Sequence, residues 1–349
     1  MKIKSWVLLL CFAGLALLIL SVLAFFTEKP NSYKNGFNRQ HLAIKVVPIG
    51  LKRSLIPLNR IAGISANHIY FAPKAANQLC LADWSLEHQD TIAYSRPFNM
   101  GVLNSYELAV DSPLVHIYAG NLSAMLTYHL HDTVAEASIF KIPLFTRAIQ
   151  ISEYSLIIRG FDSSRRKQVL EKLDTRTGNI LAKADIIPEQ HDGGFGTDGW
   201  LQYDSSSQRI LYVCTFDNRI FCLDSNLHAV YMRRTIDTIN SNPVETHQFN
   251  ISQKEGSLKP ATPLKFVNRD CCVSQGHLFV VSALEADNDQ GKDFRDNSVV
   301  DVYSISDGQY QGSFYVPNAG EKKLRYIRIV GDKMVALYTD DIGTFRLTM

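Results

Sequence analysis

The sequence lacks an excess of either charge: 36 Lys and Arg stand against 34 Asp and Glu, a net charge of +2. No basic run is longer than Arg165-Arg166-Lys167, so the electrostatic footprint of a nucleic-acid binder is missing. Cysteine is scarce, with six in 349 residues, which excludes a disulfide-stapled miniprotein. No CxxC occurs, which disfavours thiol–disulfide exchange. Helical periodicity is nearly absent: the one candidate, Ser164 to Leu173 (SRRKQVLEKL), fits a loop running into a strand equally well. Also missing are a Gly-x-Ser-x-Gly elbow, an HExxH pair and a pair of spaced glutamates, so no nucleophile or general base stands out. Apolar residues are not scarce; at 46% of the chain they suffice for a large core and exclude disorder.

One long apolar run is present. Residues 6–26, WVLLLCFAGLALLILSVLAFF, carry no charge and follow Lys2 and Lys4. As a helix rising about 1.5 Å per residue, such a run spans a hydrocarbon core of roughly 30 Å. A cleaved signal peptide is the competing reading, but no small-x-small site follows before Thr27-Glu28-Lys29-Pro30. The expectation is a cytoplasmic N-terminus at 1–5, a signal anchor at 6–26, a polar linker at 27–40 and an exported domain at 41–349. That makes a single-pass membrane protein whose bulk is extracytoplasmic, periplasmic in a bacterium. Without Lys2 and Lys4 the remainder is charge-neutral, so the net +2 is a topology signal.

Beyond the linker, short runs rich in Ile, Val, Tyr and Phe alternate with Asn, Asp, Ser and Gly, the pattern of an all-β protein. A strand–turn–strand unit recurs six times, at 61–72, 107–120, 148–160, 201–214, 272–283 and 327–339. A second strand pair follows in five units: 173–184, 303–314 and 128–139 align without gaps, and 223–234 and 81–92 align loosely. The sixth unit ends at 342–349 after its third strand, while 41–49 (HLAIKVVPI) is an unassigned strand near the other end. Supplying the missing strand from there closes a six-bladed β-propeller of four-stranded blades and removes an exposed edge.

The turns Leu173-Asp174-x-x-Thr177-Gly178-Asn179 and Tyr303-x-x-x-Asp307-Gly308-Gln309 suit strand–turn–strand links, because Gly tolerates positive φ and Asp binds nearby N–H groups. With them the chain resembles the bacterial six-bladed propellers of the TolB-like and YVTN-like group. The resemblance implies a propeller fold over nearly the whole exported part and assigns no activity.

Propeller connectivity puts the longest connections, 188–199, about 237–264 and 285–298, on one face, as a binding surface on a rigid scaffold requires. His191, Asp192, Asp198 and Trp200 lie in or beside the first, and His247 in the second, as ligand-face candidates. Asp287, Asp289 and Asp293 around Gly291 resemble an oxygen-ligand loop for Ca²⁺, but Gly291 stands at position five and Ser298 at twelve, off the EF-hand pattern. His129 and His131, alternating along a strand with Asp132 beyond, form a weaker metal candidate. Cys214 and Cys222 bracket a hairpin: a two-residue turn puts them on opposite faces, a three-residue loop sets them opposite each other. The expected function is a membrane-tethered module that binds a protein or small ligand on the long-loop face, with no evident cofactor. The alternative is an exported enzyme or enzyme subunit of hydrolase, lyase or dehydrogenase type, using that face and the central channel.

Overall fold

The computed structural model describes residues 2–27, 34–95, 103, 105–132, 134–142, 144–162, 167–188, 192, 194–241, 244–250, 256–263 and 265–348. The chain divides into two compact units, residues 1–35 and 36–349.

The first unit holds helix α1, Lys2–Thr27. Its described side chains, Trp6, Val7 and residues 12–22, are all exposed. Among the described residues no helix is long and apolar enough to cross a membrane. The structure therefore does not show the expected membrane span.

The second unit is a six-bladed propeller. Four antiparallel strands run outward in each of blades 1 to 5, which occupy residues 58–93, 106–139, 145–184, 199–234 and 268–317. The first strand of each blade is innermost: Leu58–Ile64, Tyr106–Asp111, Phe145–Ser152, Gly199–Asp204, Asn268–Ser274 and, in blade 6, Tyr326–Val330. These six neighbour one another in sequence order, and the last returns to the first. Blade 6 has only three strands of its own. Its fourth is Lys45–Arg53, which pairs antiparallel with Asp341–Thr348 from Lys45 opposite Thr348 to Arg53 opposite Asp341. The expected closure holds, with the strand four residues later than the apolar run alone suggested.

Both faces of the second strand of each blade are buried, each against a neighbouring blade, which explains the short, nearly continuous apolar runs. Six apolar clusters fill the six interfaces. Blades 5 and 6, for example, share Phe279, Val300 and Phe314 with Ile327, Met334 and Phe345. Blades 6 and 1 share Val335 and Ile342 with Ile61 and Phe71.

Residues 36–40, expected in the linker, belong to the packed propeller. Phe37 joins a cluster with Val267, Leu284 and Ala286. The Arg39 guanidinium is buried against Asp289 and Asp301 and donates to Ser282 Oγ and the Leu284 carbonyl. His41 forms a parallel bridge to Ser313 of blade 5 before the chain crosses to blade 6. The N-terminal segment thus stitches two blades together.

Residues 167–173 of the helix candidate lie in the strand Lys167–Asp174, so the strand reading holds; residues 163–166 lie outside the described residues. The long connection before blade 5 carries a two-stranded hairpin, Thr246–Asn250 with Gly256–Pro260, that the sequence pattern did not suggest. The 285–298 connection contains a short helix, α2, Gly291–Asp296. Gly178 and Gly308 have φ of +71° and +71°, and Asp174 Oδ1 accepts the N–H groups of Arg176 and Thr177, as the turn reading required. Cys214 and Cys222 sit in different inter-blade clusters, on opposite faces of blade 4, and both are free thiols.

Candidate functional site

The first strand of each blade sends alternate side chains inward, and these line the channel. A cavity of about 650 Å³ runs along it, bounded by Arg60, Glu107, Arg147, Trp200, Tyr203 and Arg328. At one end it meets the turns between first and second strands, at Asp111, Ser152 and Ser205. At the other end a cleft of about 300 Å³ opens among Arg147, Asp198, Trp200, Thr215, Phe216, Phe266, Arg269, Arg325 and Tyr326. That end is built from the inter-blade connections and second-to-third-strand loops, the face to which the long loops were assigned.

Side chains at this end form a charged network around one indole. Arg60 donates to Glu107 at 2.6 Å, and the other oxygen of Glu107 accepts the Ala148 N–H at 2.9 Å. Arg147 donates to Asp198 at 2.6 Å and to the Gly199 carbonyl at 2.8 Å. Its guanidinium lies 5.1 Å from the Trp200 ring centre; that of Arg60 lies 5.8 Å away. Tyr326 meets the same indole edge-on at 5.8 Å. Burial pulls the Arg147 pKa down, but Asp198 and Glu107 outweigh it and the group stays charged. Deeper in, Asp270 accepts from the Ile327 N–H and from Arg328, while burial, opposed by Arg328, holds its pKa above the usual carboxylate range. His116, farther along the channel, is held below its ordinary pKa by burial, against Asp111, and bonds Thr127 at 3.0 Å.

Among the described residues, several polar atoms here are buried without a hydrogen-bond partner: Trp200 Nε1, Thr215 Oγ1, Asp270 Oδ1 and Asp198 Oδ1, the last lying 3.7 Å from the buried Arg159 guanidinium. Three of those residues line the outer cleft. Natural structures rarely leave such atoms unpaired, since each costs about 1–3 kcal/mol.

The sequence candidates divide sharply. Trp200 and Asp198 are at the cleft. Asp192 is buried and accepts the N–H groups of Gly194 at 2.8 Å and Gly196 at 2.7 Å, so its carboxylate shapes the glycine-rich turn. His191 lies outside the described residues. His247 sits on the hairpin strand opposite Lys259. Of the acidic loop, Asp287 accepts the Gly36 N–H, Asp289 accepts from Arg39, Tyr315 and the Ala286 N–H, and Asp293 lies in α2. Protein donors engage the first two carboxylates, which fasten the N-terminal segment. The strand carrying His129 ends there, leaving His131 in the following turn rather than alternating with it. Among the described residues no group of three or more His, Cys, Asp or Glu could hold a metal ion.

Sequence reasoning missed Arg60, Glu107, Arg147, Arg269, Arg325 and Arg328. The signal was present: an arginine, glutamate or tryptophan occupies one of the first positions of every innermost strand, where the repeat is otherwise apolar.

No family model and no curated protein matches the chain. Among solved structures it is similar to a member of the DUF4221 family from Bacteroides vulgatus, at 11% identity and a TM-score of 0.53, over 90% of this chain and 99% of that one. It is likewise similar to a streptogramin B lyase at 9% identity and a TM-score of 0.50, over 87% of this chain and 97% of that one. At these identities the likeness shows the propeller fold alone.

Proposed function

We propose that the protein is a membrane-tethered, extracytoplasmic propeller that binds a small ligand at the mouth of its channel. The observation that carries this reading is that Asp198, Trp200 and Thr215, each with a buried polar atom that makes no hydrogen bond among the described residues, all line one open cleft. A ligand that pairs them recovers a cost the free protein bears. The tether rests on the uncharged run 6–26 and on the exposure of the apolar side chains described in α1, which suits an apolar surrounding. Within the exported setting, the turn residues at 173–179 and 303–309 support kinship with the TolB-like and YVTN-like group. The second reading, an exported hydrolase, lyase or dehydrogenase, draws on the same convergence of a carboxylate with several arginines.

The test is a thermal-shift screen of the detergent-solubilised full chain against a panel of small metabolites, repeated on Trp200→Ala. A ligand at about 100 times its Kd stabilises by roughly 2.7 kcal/mol, so a true one raises Tm in the native chain and loses its effect in the variant. A panel with no such compound, across the main metabolite classes, counts against the reading. Consumption of a hit by the protein shifts the balance to the enzyme.

A further inference from the structure

Resting on that binding reading, we propose that the outer cleft is a seat for an acidic sugar, one ring bearing hydroxyl groups and either a carboxylate or a phosphate. Three independent features of the cleft set this chemistry.

The first is uncompensated positive charge. Arg39, Arg60, Arg147, Arg219 and Arg328 each pair with a carboxylate. Arg269 and Arg325, which line the cleft, have no carboxylate partner among the described residues. Each rests on an aromatic face instead, Arg269 at 5.8 Å from the Phe266 ring centre and Arg325 at 5.3 Å from that of Tyr326. Burial lowers the Arg269 pKa and Arg325 lowers it further. Lys323 is lowered too, by burial and then by Arg269. Lys323 donates to the Phe294 and Asn297 carbonyls and lines a neighbouring cavity, so the cleft itself offers two forked guanidiniums, which match the oxygens of a carboxylate or phosphate.

The second feature is the identity of the orphaned atoms. Trp200 Nε1 can only donate and a carboxylate oxygen of Asp198 can only accept, while Thr215 Oγ1 does either. One ligand must therefore offer both an acceptor and a donor besides its anion. Sulfate or a halide lacks the donor, and a purely apolar acid offers nothing beyond its anion. Hydroxyl groups supply each.

The third is shape. Trp200, Phe216, Phe266 and Tyr326 give the cleft flat apolar walls, with Phe216 and Phe266 only 5.3 Å apart between ring centres. A volume of about 300 Å³ admits a single substituted ring.

The experiment is calorimetric titration of the full chain in detergent with glucuronate, glucose 6-phosphate, glucose and AMP. At least one acidic sugar is expected to bind about tenfold or more tightly than glucose, and more weakly as salt rises. Which of the two acids binds identifies the anionic group. Arg269→Gln and Arg325→Gln are each expected to weaken that binding about tenfold or more. Removing one of two repelling cations leaves the fold intact, so neither variant should melt below the native chain. Glucose binding as tightly as the acids, AMP binding more tightly than both, silence of both acids, or indifference to the arginine variants would each overturn the proposal. If another compound stabilises the native chain but not Trp200→Ala, only the ligand class fails; if none does, the binding reading fails with it.

Discussion

At the scale of single residues, Trp200 and Arg147 touch each other but carry opposite stability consequences. Arg147 holds two carboxylates, so Arg147→Ala leaves Asp198 and Glu107 short of a partner. Breaking a buried pair costs about 3–5 kcal/mol; with Asp198 partly open to solvent, we expect about 2–3 kcal/mol by urea denaturation. The Trp200 indole N–H has no hydrogen-bond partner among the described residues. Trp200→Phe keeps most of the apolar contact and removes the orphan, so it should leave stability unchanged or raise it by up to about 1 kcal/mol. A loss of more than 2 kcal/mol would mean that the N–H is satisfied after all. The thiols make a second residue-scale case. Burial pushes Cys80 up to about 11, with Asp90 adding to it, and Cys272 up to about 12; Cys214 and Cys271 are raised as well, burial being the main cause. The thiolate is the reactive form, so peptide mapping after iodoacetamide should find Cys80, Cys214, Cys222, Cys271 and Cys272 unmodified in the native protein and modified in urea. None of this was legible from spacing. A side chain's partners across the channel come from blades some forty residues apart, and His and Asp on the long loops drew attention that belonged to arginines on or beside the innermost strands.

At the scale of elements, the tight turns follow from local chemistry and were legible. An aspartate at the end of a strand gathers the N–H groups of the turn that follows, and this recurs at Asp83, Asp174 and Asp224. Burial works against the Asp83 carboxylate, but His88 and Ser85 outweigh it and hold the pKa at about 2. At Asp174, hydrogen bonds from the Arg176 side chain and backbone N–H hold it at about 2. Both lie below the ordinary aspartate value of about 3.9. Their stabilisation is therefore complete above about pH 4 and is lost as pH falls from there through about 2. Urea midpoints should decline across that window, and the decline should be shallower in Asp83→Asn/Asp174→Asn; an equal slope in the double variant would remove the turns as its cause. The hairpin at 246–260 escaped notice for the converse reason. Its strands, THQFN and GSLKP, have neither β-branched density nor alternation, so pairing geometry decides what propensity leaves open.

For the whole molecule, the sequence's arithmetic of six first halves and five second halves pointed to closure, because an open ring leaves an edge strand exposed and an apolar blade face bare. What counting could not reveal is that closure has a second fastening, since Arg39 gives no periodic signal and its partners Asp289 and Asp301 lie about 250 residues away. The two fastenings can be separated by truncation. A chain starting at Gly36 retains the whole packed unit and should melt with the propeller of the full chain. A chain starting at Ala43 keeps the closing strand Lys45–Arg53 but loses Phe37 from its cluster and strands two buried carboxylates. That should cost about 3–5 kcal/mol, the penalty for an ion pair deprived of one partner, with the ring still closed and the protein monomeric. A chain starting at Ser54 removes the strand itself and exposes Asp341–Thr348 along its hydrogen-bonding edge. It should aggregate or dimerise through that edge. Calorimetry with size-exclusion chromatography reads both effects. If the Ala43 chain melts with the Gly36 chain, the Arg39 latch contributes nothing to stability; if the Ser54 chain stays a stable monomer, blade 6 does not need its borrowed strand.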